Sequence, residues 1–172
     1  VANQNVRALT GPELLIVTAP TWQAEAERLA LHRRQQDGMN VVVATTEHIF
    51  NEWASGQPDP TAIRDAARYF FRQNGRLRYL LLMGDATFDY RGRLKSLGPA
   101  QQAALVPTYQ SRESLHPIYS YASDDYFGFL KDTDGEWAET FSDDERLDIG
   151  VGRLPVKSVD EARRAVDKII AY

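Results

Sequence analysis

In the stretch LLLMGDATFDY an apolar run, Leu80 to Met83, stops at Gly84, and two carboxylates follow, Asp85 and Asp89. Ligands of open parallel sheets bind beyond the carboxyl ends of the strands. An acid at such an end is placed to meet a ligand, a metal or a proton. A Gly-Asp pair also opens a turn, in which the carboxylate accepts neighbouring backbone N–H groups. The turn is the favoured reading, so Asp85 and Asp89 are expected to organise the loop after this strand.

A second acidic group lies further on. Asp124, Asp125, Asp132 and Asp134 are candidate Ca²⁺ ligands, together with Glu136, Asp143, Asp144, Glu145 and Asp148, because Ca²⁺ takes several oxygen donors. The run Asp132-Thr-Asp-Gly135 resembles part of an EF-hand loop. With Gly135 on the loop's glycine, however, Leu130 takes the first ligand position and Phe141 the bidentate one, and neither side chain can coordinate. A turn tip and a solvated acidic loop are the simpler reading. No cofactor is required, and calcium stays open.

Other chemistry is thinly supplied. There is no cysteine, and only His32, His48 and His116 offer an imidazole. Ser114 and His116 lie close in sequence, but a catalytic triad is recognised by geometry, and no strained nucleophile turn is present. TAPTWQ follows the first strand where a phosphate-binding fold needs glycines, and the G-x-G of GVGRLP runs into proline where a helix should start.

The elements that must hold these residues are legible. ELLIVTAP gives a buried strand over Leu14 to Thr18, and NVVVAT and RYLLLMGD give two more. Trp22, Ala26, Leu29 and Ala30 mark one helical face, and Ile49, Phe50 and Trp53 a shorter one. Asp59-Pro60 starts a helix with Ile63, Ala66, Ala67, Phe70 and Phe71 inward, and Gly75 stops it. The first half is therefore β-α-β-α-α-β, which implies a mainly parallel, doubly wound, flavodoxin-like sheet with helices on both faces. The second half is less regular. LVPTYQ reads as a short strand, and YFGFL and EWAETF as the arms of a β-hairpin around DTDG. RLDIGVGRLP is a last strand carrying Ile149 and Val151. Ser158 and Glu161 cap a final helix with Val159, Ala162, Val166, Ile169 and Ile170 on its core stripe. Residues 1–13 are an N-terminal segment and 14–172 one domain. The first residue is Val1 and the last helix has no stop signal, so a processed or excised part of a longer polypeptide is expected.

The 172 residues carry 43% apolar and 26% charged residues with net charge −4. These are ordinary values for a globular domain. Scattered Lys and Arg offer no basic stripe for nucleic acid, and no run is long enough for a membrane span.

The order of the segments GMNVVVATTEHIFNEWASG, YLLLMGDATFDYRGR, VPTYQS, SYASDDYFGFL and LDIGVGRLPVKSVDEARRAVDKIIAY resembles the first subdomain of gingipain-type (C25) cysteine peptidases. The likeness is greatest to the sortase-like component of the type IX secretion system, and it extends from Leu14 to Tyr172. It implies a caspase-like domain of two side-by-side α/β subdomains, with the catalytic histidine and cysteine in the second. No catalytic residue then falls in this chain. The implied partners are the second subdomain of the same polypeptide and, through it, a peptide substrate. The implied location is exported, at the outer membrane or cell surface. Two readings of other kinds stay open. One is a binding or assembly module of a surface protein without peptidase activity. The other is a flavodoxin-like domain for a small ligand.

Overall fold

Leu14–Thr18 form β1, buried at all five positions, as a strand covered on both faces must be. The computed structural model describes residues 4–93, 97–111, 116–118, 120–132, 134 and 146–172. In it, β1 is flanked by two parallel neighbours, β2 (Val41–Thr45) and β3 (Tyr79–Met83). After β3 the chain makes an excursion of short elements. β4 (Ala86–Thr87) pairs parallel with β5 (Val106–Pro107), and β6 (Tyr109–Gln110) pairs antiparallel with β7 (Ala122–Ser123). The chain then returns as β8 (Gly150–Leu154), parallel to β3, and the sheet order is β2-β1-β3-β8.

The helices follow their sequence signals. α1 (Gln23–Gln36) buries Ala26, Leu29 and Ala30. α2 (Thr46–Trp53) begins with a capping box between Thr45 and His48. α3 (Pro60–Asn74) has the Asp59 side chain accepting from Thr61 N at 2.8 Å, and left-handed Gly75 ends it. α4 (Pro99–Ala103) is a short piece of the excursion. α5 (Val159–Ala171) is capped by Ser158, whose Oγ accepts from Glu161 N. α1 packs on α5, and α2 on α3. Arg28 of α1 pins the first pair by donating to Asp167 of α5 at 2.5 Å and to Glu25.

Because strand side chains alternate, Leu14, Leu81 and Gly152 share one face. A cavity of about 550 Å³ lies between them and Leu29 and Ile169, so this face lies under α1 and α5. Leu15, Val17, Leu80, Leu82 and Arg153 share the other face, on the side of α2 and α3.

Several expectations need correction. The last strand starts at Gly150, with Ile149 buried just before it. LVPTYQ is not one strand: Thr108 separates β5 from β6, and the two pair with different partners. Asp125–Gly128 is a 3₁₀ turn rather than a hairpin arm, because Phe127 is drawn fully into the core. The second proposed arm, EWAETF, lies outside the described residues. On α5, Ala162 and Val166 are buried, but Val159 is 47% and Ile170 37% exposed.

Residues 4–13 are tied to the domain. Val6 is buried, and Glu52 of α2 accepts from Val6 N at 2.7 Å and Arg7 N at 3.0 Å. Arg7 lies over the Trp53 ring, 4.7 Å from its centroid. Partial burial pushes the Glu52 carboxyl up. Hydrogen bonds from Val6 N, the Gln4 side chain and Arg7 N outweigh that, and it sits below its ordinary value. A lowered folded-state pKa gives stability that is present above the unfolded value, about 4.3, and is lost as pH falls through the folded one. The Val6 and Arg7 amides should therefore be protected, relative to their intrinsic exchange rates, near neutrality and lose that protection below that window. In Glu52→Gln their exchange should show no such step. A step that survives the substitution would assign the anchor to another group.

Candidate functional site

The carboxyl ends of β3 and β8 meet at one side chain. Arg153 points from β8 into the interior and fills all five of its N–H positions. It donates from Nε to Asp124 Oδ2 and from Nη2 to Asp124 Oδ1, both at 2.7 Å. Nη1 donates to Gly84 O and Val106 O at 3.0 Å, and Nη2 to Pro107 O at 3.1 Å. Thr108 Oγ1 adds a bond to Asp124 Oδ1 at 2.9 Å. One guanidinium therefore ties together the ends of two sheet strands, β5 and the start of the 3₁₀ turn. Such a forked, two-bond pair is specific to arginine.

Asp85 and Asp89 lie on the same junction. Asp85 Oδ1 accepts from Ala86 N at 3.0 Å, and Lys157 Nζ is 3.3 Å from Oδ2. The Asp85 main chain binds both ways, to Val156 O and from Val106 N. Asp89 Oδ1 accepts from Arg93 N at 2.9 Å, and Asp89 O accepts from Gln102 Nε2 at 2.7 Å. Local carboxylate-to-backbone bonds of this kind are worth about 0.5–2 kcal/mol. Asp85→Ala and Asp89→Ala should each lower stability in that range by urea denaturation. A loss of activity in the longer polypeptide without a loss of stability would give either acid a chemical role instead.

The four calcium candidates go to different places. Asp124 is committed to Arg153. Asp125 is exposed, with its N–H donating to Ser123 Oγ. Asp132 pairs with Arg72 of α3 at 2.5 Å, and that hydrogen bond holds its carboxyl below the usual range. Asp134 is buried and accepts from Lys131 N. Its carbonyl accepts from Arg64, a buried α3 arginine that also donates to Phe129 O at 2.6 Å. Guanidinium groups thus face two of the four carboxylates, Asp124 from the sheet and Asp132 from α3. Among the described residues no three carboxylates or imidazoles come together to hold a metal ion. Glu136, Asp143, Asp144, Glu145 and Ser114 lie outside the described residues. Asp148 accepts from Leu130 N at 2.9 Å and holds the chain after the 3₁₀ turn.

The histidines have local partners or lie on a helix. His48 Nδ1 accepts from Thr45 N within the α2 cap, and His116 Nδ1 accepts from Ile118 N at 3.1 Å. His32 is half-buried on α1.

Sequence reasoning passed over Arg153 and Arg64. Both carried a signal: each is a charge at a position whose neighbours read as core. The partner of Arg153 is 29 residues away, too far for any spacing rule.

One concave feature opens at the carboxyl ends of the strands. It is a crevice of about 590 Å³ whose walls include Pro20, Phe50, Thr87, Tyr90 and Pro107, with Glu47 at its polar side. This is where open α/β sheets place ligands. Its lining is largely apolar.

A sequence model of peptidase family C25 matches residues 7–172. The chain is similar to the solved structure described as dimeric latent PorU from Porphyromonas gingivalis. The two share 34% identity with a TM-score of 0.82, over 100% of this chain and 16% of that one. No curated protein sequence matches it.

Proposed function

This chain belongs to peptidase family C25, and on that premise we propose that it is the non-catalytic first α/β subdomain of a longer cysteine endopeptidase or sortase-like transpeptidase. The observation that carries the reading is a family match over nearly the whole of a chain that contains no cysteine. The nucleophile of a cysteine peptidase must then lie elsewhere in the polypeptide. The solved structure it resembles has a chain of which this one spans 16%, which leaves room for a second subdomain.

In that scheme a thiolate outside this chain attacks a peptide carbonyl. A histidine beside it moves the protons, and backbone donors hold the oxyanion. A sortase-like enzyme passes the acyl group to an amine instead of water. This subdomain supplies a rigid flank, and the crevice beside Pro20, Phe50 and Tyr90 forms one wall of the substrate cleft. The proposed location is exported, at the outer membrane or cell surface. Among the described residues no helix is long and apolar enough to cross a membrane.

The test compares peptide hydrolysis, and transfer to an added amine, by this chain and by the longer polypeptide. Activity is expected only in the longer one, abolished by thiol alkylation. Release of product without transfer would decide for a peptidase over a sortase. Inactivity of both would favour a binding module.

A further inference from the structure

β8 is the edge of the parallel sheet, and it is unlike the other three strands. β1 is buried throughout, β2 and β3 mostly so, whereas no residue of β8 is fully buried and Gly150 and Gly152 are exposed. Parallel strands are normally covered on both faces. Gly150 N donates to Arg78 O and Gly84 N to Leu154 O. The ladder to β3 therefore uses the backbone of Gly150, Gly152 and Leu154. The N–H and C=O groups of Val151 and Arg153 point the other way. Among the described residues β8 has a neighbour on one side only.

Free sheet edges are usually guarded by an edge lysine, a proline, a bulge or an outward charge. β8 contains no lysine, proline or bulge and no charge pointing to solvent; its one guard is the inward-pointing Arg153, which is held by Asp124. On β3, Tyr79 is 50% exposed and lines the same cavity as Gly150, Gly152 and Ile169 of α5.

We propose that the open edge of β8 is a pairing site for a β-strand of the second α/β subdomain of the same polypeptide, which continues this sheet by main-chain hydrogen bonds to Val151 and Arg153. The proposal rests on the two-subdomain reading above. The solved chain of which this one spans 16% gives the length from which such a strand can come. Handedness adds a constraint. The crossover β1-α1-β2 moves from β1 towards β2 with α1 on the α1/α5 face. A right-handed crossover through α5, on that same face, would move in the same direction, from β8 back over β3. The pairing strand is therefore antiparallel or reached by a longer path, and is not the parallel strand immediately after α5.

The test is hydrogen–deuterium exchange on the longer polypeptide and on this 172-residue chain. The Val151 and Arg153 amides should exchange about 100-fold more slowly in the longer protein. In the longer protein Val151→Pro, which removes one edge N–H, should abolish the protection at Arg153, while Val151→Ala should keep it. Equal exchange in the two proteins, fast or slow, would overturn the proposal. Protection in a longer polypeptide without peptidase activity would uphold the edge and reject the peptidase reading.

Discussion

Replacing Arg153 by methionine is expected to destabilise the chain by about 3–5 kcal/mol, the range for breaking a buried ion pair by removing one partner. The Arg153 side chain is 10% exposed and that of Asp124 25%. The substitution leaves the Asp124 carboxylate facing a low-dielectric junction, with one hydrogen bond from Thr108. It also strips donors from Gly84 O, Val106 O and Pro107 O, and under-satisfied buried carbonyls carry their own cost. Arg153→Lys should recover little. An ammonium has the charge but not the planar fork that reaches a carboxylate and three carbonyls at once. The double variant Arg153→Met with Asp124→Leu should be less damaged than Arg153→Met alone, because no orphan charge remains. Urea denaturation of the three variants reads these differences. An Arg153→Met loss under about 1 kcal/mol, the size of a surface pair, would show that the junction is held by packing.

Gly84→Ala should cost about 2–4 kcal/mol, from backbone strain together with overpacking. Gly84 has φ +142°, and a Cβ there would lie 2.8 Å from Val106 Cγ2, 3.2 Å from Ala104 O and 3.3 Å from Trp22 Nε1. Trp22 Nε1 donates to that same Ala104 O at 2.9 Å, so the methyl group wedges into an existing bond. Gly38→Ala is the control. Gly38 also has a positive φ, +65°, but nothing lies within 4 Å of its added Cβ. It should show only the conformational cost, about 1 kcal/mol. Equal losses at the two glycines would deny the close approach at the end of β3. Gly84 and Arg153 meet through Gly84 O, so their effects should not add.

The sheet was legible because its strands obey a simple rule. Leu14–Thr18 and Val41–Thr45 are short apolar runs with clear punctuation, and α3 carries proline at its start and glycine at its end. The excursion was not legible. YFGFL has the composition of a strand, yet Phe127 and Leu130 enter the core from a 3₁₀ turn and the residues after it. Tertiary burial decided that segment, not period. The α5 stripe was read as five core positions, but Val159 and Ile170 stay exposed. Periodicity marks an apolar face without saying how much of it is covered. The acids show the same limit. Composition grouped Asp124 with Asp132 and Asp134, and the fold sends one to β8 and the others to α3. The guanidinium groups that meet the Asp124 and Asp132 carboxylates and the Asp134 carbonyl come from elements far away in sequence.

In the proposed function, residues 1–172 shape and support a reacting centre whose covalent chemistry lies elsewhere in the polypeptide. The most direct measurement is labelling of the longer polypeptide with a peptidyl electrophile specific for catalytic thiolates, followed by mapping of the modified residue. The prediction is a single adduct on a cysteine beyond residue 172, lost together with peptide hydrolysis when that cysteine is replaced by alanine. Hydrolysis of the same peptide by the 172-residue chain alone, or hydrolysis by the longer polypeptide that survives full thiol alkylation, would contradict it.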